Sequence, residues 1–132
     1  MTAPPVIRRW IAIIDNGIDN GRTDELEALL AEDAVFYSPV VVTPQEGRAK
    51  TLAYLTAAVK LFGDSDFRYV GQWFADRSAV LEFVADIDGI HINGVDVIKW
   101  NGDEKIVEFK VLIRPLKALQ SVMAAMSQLL QS

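Results

Sequence analysis

The second half of the chain, from Phe67 to Ile113, is a run of segments in which apolar and polar residues alternate. A period of two is typical of strands that bury one face, and short turns rich in Asp, Asn and Gly separate the segments. The pattern predicts strands at 67–75, 78–88, 90–100 and 105–114. Because short turns join neighbouring antiparallel strands, this half of the chain must form a sheet whose apolar face needs a cover.

Helices that could cover this apolar face are predicted before and after the strands, because apolar residues recur there at helical spacing. A first helix carries Ile7, Trp10, Ile11, Ile14 and Ile18 and ends between Asn16 and Gly21; a second, with Thr23 as N-cap, carries Leu26, Leu29 and Leu30; a third carries Leu52, Leu55, Val59 and Phe62 before Gly63; a last helix opens at Pro115. Between the second and third helices, a short strand at Ala34 to Ser38 stops at Pro39, and residues 40–48 are predicted to be a loop.

Helices that precede a run of antiparallel strands predict an α+β fold. We expect a curved antiparallel sheet that wraps around the N-terminal helices as a cone with an internal pocket, followed by a C-terminal helix. The length of 132 residues and the hydrophobic content of 51% fit a single domain over residues 1–132.

Composition excludes several classes of function. There is no Cys and only one His, so we expect no metal site, and we see no glycine-rich phosphate loop or other cofactor motif. The net charge of -5 and the scattered basic residues argue against nucleic acid as a partner. Neither a signal peptide nor a membrane span is visible, so no membrane association and a cytoplasmic location are expected.

Asp96 is the best candidate for a functional residue. It shares a strand face with Ile98 and Trp100, so it faces the interior if they do. A carboxyl group there needs a partner, a proton or a ligand. Two interpretations stay open, a catalytic acid and a structural acid bonded to backbone or to Tyr54.

The same face periodicity predicts the lining of the pocket. It would consist of Trp10, Ile14, Tyr54, Phe83, Ile98, Trp100, Phe109 and Val111. Such a pocket would bind a hydrophobic small molecule, oriented by Asp96, Ser38 and the Tyr54 hydroxyl. The alternative is that these apolar residues form a packed core without a void.

The order of elements resembles the nuclear-transport-factor-2-like, SnoaL-like superfamily over almost the whole chain, from about Val6 to Leu130. The segments that carry the resemblance are Leu29 to Pro39, Gly47-Arg48, the hairpin Val95 to Ile106, Glu108 and Arg114-Pro115. The resemblance implies the cone fold. It does not imply one reaction, since the fold hosts isomerases, cyclases, epoxide hydrolases, dehydratases and non-catalytic binders.

The resemblance implies specific positions for catalytic groups. Asp96 matches the protonated Asp of ketosteroid isomerases, but their base position falls on Ser38 and their helix Tyr falls near Ile14. A serine cannot replace a carboxylate base without an activating partner, so that mechanism is not expected. The two acids and the Arg of limonene-type epoxide hydrolases are also missing, because their positions fall on Phe83, Ala85 and Val111. A polyketide-cyclase-like reaction with one acid remains compatible with the sequence.

Three functional hypotheses follow. The first is a cofactor-independent isomerase, lyase or cyclase that uses Asp96 as acid, base or hydrogen-bond donor. The second is a non-catalytic ligand-binding or accessory module, and the third is a protein-interaction domain with a filled interior. A homodimer is expected through the outer face of the sheet, which carries Val80, Val84, Val95, Val97 and Leu112.

Overall fold

The computed structural model describes residues 2–17, 23–63 and 65–131. Its elements are α1 (Pro5–Asn16), α2 (Thr23–Leu29), β1 (Leu30–Tyr37), β2 (Gln45–Glu46), α3 (Arg48–Phe62), β3 (Arg68–Phe74), β4 (Ser78–Ile87), β5 (Ile90–Trp100), β6 (Ile106–Arg114) and α4 (Leu116–Gln131). The α+β fold, with helices first, strands next and a helix last, is confirmed.

Helix α1 begins where proline permits a helix to begin. Pro5 occupies its first turn, where the missing N–H would have no helical partner. Its buried side is formed by Val6, Ile7, Trp10 and Ile13. The helix ends at Asn16, and Gly17 follows with a φ of 75° and donates its N–H to the carbonyl oxygen of Ile13. The predicted helical position of Ile18 lies outside the described residues.

The strands form one six-stranded sheet in the order β2-β1-β6-β5-β4-β3. Strands β3 to β6 are antiparallel neighbours, as their short turns predict, whereas β1 runs parallel to β6. The parallel pair arises because α3 and the four strands β2 to β5 intervene before the chain returns to β1, a connection long enough for a crossover. The sheet is therefore mostly antiparallel, and its end strands β2 and β3 do not pair to close it.

Two boundaries differ from the sequence prediction. β1 begins at Leu30, which the helical pattern had assigned to α2, because Leu30 pairs with Ile106 of β6 and is 1% exposed there. The predicted loop between β1 and α3 contains β2, whose two residues pair with Val35 and Phe36. In both cases pairing with another strand overrides the local pattern.

The core consists of two clusters on the same face of the sheet. One joins α1, α2 and α3 to the sheet and includes Ile7, Leu26, Leu55 and Phe109. The other joins α4 to β4 and β5 and contains Phe83, Ala85, Ile92, Ala118 and Val122. Along β5 the buried residues alternate, so Asp96 points toward the helices like its neighbours Gly94 and Ile98.

Candidate functional site

A cavity of about 670 Å³ lies between the core face of the sheet and helices α1, α3 and α4. Eight aromatic side chains contribute to its lining: Trp10, Phe36, Tyr54, Phe62, Phe67, Tyr69, Phe83 and Phe109. Buried lining residues such as Phe83 and Asp96 mark its deep end. Exposed lining residues mark its mouth: Asp15, Val41, Gly63, Asp66, Met123, Ser127 and Leu130. The interior is therefore not completely packed.

Asp96 lies at the deep end, in the middle of β5. Its cross-strand neighbours are Leu81 and Val111, and only 5% of its surface is exposed. One carboxyl oxygen, Oδ2, accepts a hydrogen bond of 2.5 Å from the Tyr69 hydroxyl. That hydroxyl oxygen in turn accepts a hydrogen bond of 2.9 Å from the indole N–H of Trp10. The three side chains form a polar chain, Trp10–Tyr69–Asp96, whose buried lining neighbours are mostly apolar.

Burial controls the protonation of this chain. Removal of the Asp96 carboxylate from water raises its pKa from 3.8 to about 7, although the hydrogen bond from Tyr69 acts in the opposite direction. Burial also raises the pKa of Tyr69 well above its ordinary value, and the nearby Asp96 charge adds to that shift. Tyr69 is therefore a neutral hydrogen-bond donor, while Asp96 exchanges its proton near neutral pH.

A β-bulge follows Tyr69 in β3. Tyr69 pairs with Phe83, but Gly71 pairs with Glu82, so Val70 is an extra residue in β3. The Tyr69 ring also makes an edge contact with Phe67, with the ring centroids 5.1 Å apart. The sequence prediction missed Tyr69 because the bulge breaks the alternation of β3. The sequence does contain one indication of its direction: Phe67 and Tyr69 are two residues apart before the bulge, so they share a strand face.

The structure brings most of the predicted lining residues together. Trp10, Ile14, Ser38, Tyr54, Phe83, Phe109 and Val111 all line the cavity with Asp96. Ile98 and Trp100 do not line it, although they share the strand face of Asp96. Both are buried in the core cluster under α1, α2 and α3, at 0% and 7% exposure, because the helices fill that end of the sheet.

The two predicted hydroxyl groups occupy different places in the lining. Ser38 follows the last residue of β1, and its Oγ accepts the backbone N–H of Val40 at 3.1 Å. The Tyr54 ring stacks on Phe36, with centroids 5.2 Å apart. Asp96 is bonded to Tyr69 and not to Tyr54, the partner considered from the sequence.

The described residues contain no group of three or more His, Asp or Glu side chains that could hold a metal ion. Within the same part of the chain, no helix combines the length and the hydropathy needed to cross a bilayer. The lining of the cavity itself offers three chemical features. These are a carboxyl group that titrates near neutral pH, the phenol bonded to it, and a large apolar surface.

Comparisons with known proteins agree with this architecture. A steroid delta-isomerase from Pseudomonas aeruginosa is similar, with 31% identity and a TM-score of 0.86, over 93% of this chain and 87% of that chain. An uncharacterized bacterial protein with a cystatin-like fold from Silicibacter pomeroyi has 30% identity and a TM-score of 0.84, over 94% and 84% of the two chains.

The fold alone is shared with an epoxide hydrolase/cyclase-like enzyme of pyran ring formation in the polyether salinomycin. That protein has 18% identity and a TM-score of 0.64, over 83% of this chain and 88% of its own. No curated protein sequence matches significantly. The family model of the SnoaL-like domain matches residues 7–109, which include most of α1, the first five strands and the start of β6. The chain belongs to the SnoaL-like domain family.

Proposed function

We propose that the protein is a cofactor-independent isomerase, lyase or cyclase that acts on a lipophilic small molecule bearing a carbonyl or hydroxyl oxygen. The observation that carries the proposal is Asp96, a buried carboxyl group at the deep end of an apolar cavity, with one oxygen held by Tyr69. Further support comes from the fold, which is shared with isomerases and cyclases.

The bonding of Asp96 defines what it can do to a ligand. Tyr69 donates to Oδ2, so the proton of the neutral acid resides on Oδ1. From there it can be donated to a ligand oxygen on which negative charge develops. A group with a pKa of about 7 is also well matched to proton transfer at neutral pH. Tyr69 and Trp10 would act as positioning residues, since they hold the carboxyl group through hydrogen bonds.

The class of reaction depends on whether a catalytic base lies near Asp96. A two-site proton transfer within a carbonyl compound needs a base as well as an acid. By the resemblance, the position of that base in ketosteroid isomerases falls on Ser38, whose oxygen accepts the Val40 N–H. We therefore favour a reaction in which one acid suffices, such as dehydration or ring closure of an activated substrate, over steroid isomerisation.

Substitution of Asp96 tests this function. Turnover would be followed by mass spectrometry with a library of lipophilic hydroxyketones, epoxides and enones that includes steroid enones. Asp96→Asn should reduce the rate of any reaction found by about 10²- to 10⁴-fold. Tyr69→Phe should reduce it less, while Asp33→Asn, an exposed acid outside the cavity, should leave it unchanged. Unaltered turnover by Asp96→Asn would contradict the catalytic role.

A second candidate is a non-catalytic binding module that uses the same cavity. The observation in its favour is that Asp96 is the one buried acid among the described lining residues, because Asp15 and Asp66 are exposed. A ligand that copurifies with the protein, and that is recovered chemically unchanged after prolonged incubation, would favour this candidate over the enzyme.

A further inference from the structure

The acidic and basic residues are unequally distributed around the cavity. Its lining residues include Asp15, Asp66 and Asp96, while none of the described lining residues is Lys, Arg or His. A net charge of -5 for the whole chain does not require this, because the chain has 13 basic residues that could have lined the cavity. A ligand anion would meet no opposite charge among these residues, whereas a ligand cation would meet several attractive groups.

The negative charge is concentrated at the mouth. Asp15 and Asp66 are exposed lining residues, and the described residues include no ion pair with either carboxylate. The Arg68 guanidinium donates to the backbone oxygen of Asp66 at 3.4 Å, but Arg68 does not line the cavity. Asp15 also belongs to the last turn of α1, next to Ile14, which lines the cavity as well. The carbonyl end of a helix carries partial negative charge, so it adds to the attraction for a cation at the same place.

The aromatic lining adds a second kind of attraction. Faces of Trp, Tyr and Phe rings attract ammonium groups, and eight such rings line this cavity. The deep end differs from the mouth, because Asp96 keeps its proton up to about neutral pH and is there a hydrogen-bonding group for a neutral oxygen. The two ends of the cavity thus suit different ends of one ligand.

We propose that the cavity selects a lipophilic amine, with its oxygen function at Asp96 and its ammonium group at the mouth beside Asp15 and Asp66. This names the substrate class of the proposed function and rests on it. Neutral compounds of the same shape would still bind through the apolar surface, but more weakly, and carboxylates would bind weakest.

Three probes with one aromatic skeleton test the selection by titration calorimetry at pH 7 and low salt: naphthylethylamine, naphthylethanol and naphthylacetic acid. Each exposed carboxylate should contribute about threefold in affinity, so the amine should bind about tenfold more tightly than the alcohol. The preference should shrink as salt is added, because exposed charges are screened. The acid should bind more weakly than the alcohol.

The double variant Asp15→Asn/Asp66→Asn should reduce the preference for the amine to about twofold or less and leave the affinity for the alcohol unchanged. Asn suits position 66 because the φ of 55° there lies in the left-handed region that Asn tolerates. A matched control, Asp33→Asn/Asp76→Asn, removes the same charge from exposed positions outside the cavity and should keep the preference.

The outcomes separate the two proposals. Equal binding of amine and alcohol, tighter binding of the acid, or a preference that survives in the double variant would overturn the amine selection and leave the proposed function standing. Failure of all three probes to bind would count against the lipophilic cavity site itself, and hence against both. Equal loss of preference in the matched control would show a general charge effect and would also overturn the selection.

Discussion

Asp96 is a titratable residue at a buried position. An uncharged side chain there would lose less free energy of hydration on folding. The surroundings of Asp96 on β4 and β6 are Leu81 and Val111, and the Tyr69 hydroxyl supplies its hydrogen bond. The balance of these effects favours the protonated form, as shown by a pKa raised from 3.8 to about 7. A shift of this kind links the folding of the protein to pH.

The linkage gives a prediction for stability. Between pH 3.8 and about 7 the folded protein holds the Asp96 proton and the unfolded chain has released it, so this group's contribution to the free energy of unfolding falls as pH rises. The change is on the order of 4 kcal/mol. Asp96→Asn removes the titration. The free energy of unfolding can be measured by urea titration for the variant and for wild type. The difference, variant minus wild type, should therefore increase by a few kcal/mol from about pH 4 to about pH 8.

The matched control for that experiment is Asp33→Asn, which removes an exposed acid. Its stability difference from wild type should be nearly independent of pH. A flat difference for Asp96→Asn as well would contradict the burial of a carboxyl group with a raised pKa.

Tyr69 makes an opposite and separable contribution. Its hydrogen bond stabilises the Asp96 carboxylate and so lowers the pKa of Asp96. Tyr69→Phe should therefore raise that pKa further above 7, measured by carboxyl-selective NMR or infrared difference titration. Tyr54→Phe is the control, since Tyr54 lines the same cavity and stacks on Phe36. A pKa of Asp96 that falls in Tyr69→Phe would contradict the assigned hydrogen bond.

At the residue scale, the sequence predicted the direction of Asp96 but not its partner. Alternation in β5 is unbroken, so the face of Asp96 could be read from Ile98 and Trp100. Tyr69 lies before the bulge in β3, and the contact between Tyr69 and Asp96 spans 27 residues of sequence. Side-chain partners of this kind depend on strand register, which local periodicity does not determine.

At the element scale, the four strands of the meander were predicted closely because their periodicity and turns agree. β1 and β2 were predicted poorly for the opposite reason. Leu30 continues the apolar spacing of α2, yet it belongs to β1, and Gln45–Glu46 becomes a strand only because β1 offers it a free edge. In these segments the tertiary partner, and not the local sequence, decides the structure.

Gly94 has a steric role in the meander. A Cβ atom at this position would lie 2.5 Å from the backbone oxygen of Leu112 and 2.5 Å from Cζ of Phe83. Gly94→Ala should therefore destabilise the protein by about 2–3 kcal/mol in urea unfolding, because the backbone of β6 cannot move freely away. It should also weaken binding of any cavity ligand, since Phe83 lines the cavity.

Gly102→Ala is the control for that substitution. The nearest atoms to its added Cβ belong to the flexible end of Arg77, at 3.3 Å, so we expect little change in stability. Stability of Gly94→Ala equal to that of Gly102→Ala would show that β5 and β6 are not as tightly packed as described.

At the scale of the whole molecule, the sheet has one face under the helices and another that carries exposed apolar side chains. Val70, Trp73 and Leu112 are 53%, 58% and 53% exposed. Half-buried valines of β4 and β5 lie between them, since Trp73 pairs with Val80 and Leu112 pairs with Val95. Such a face is suited to a second copy of the chain.

We propose a homodimer through this outer face. Trp73→Lys and Leu112→Lys should each shift the protein toward monomer in sedimentation velocity at micromolar concentration, because a charge would be placed in the contact. Val42→Lys is the control, since Val42 is 99% exposed and lies outside the sheet. Wild-type protein that sediments as a monomer at these concentrations would contradict the proposal.

The overall architecture was predictable from the order of the elements, because helices and a meander of strands can bury their apolar faces in few ways. The void within it was not predictable from apolar spacing, which is the same for a packed core and for a cavity wall. Ile98 and Trp100 show this directly: they have the periodicity of Asp96, yet they pack in the core.

The position of Trp10 has a practical consequence. This indole lines the cavity and is hydrogen-bonded to Tyr69, whereas Trp73 lies on the outer face of the sheet and Trp100 in the core. Replacement of the latter two by Phe would leave Trp10 as the single tryptophan, beside the site. Its emission would then follow the arrival of a ligand, and the ionisation of the neighbouring acid, without any added label.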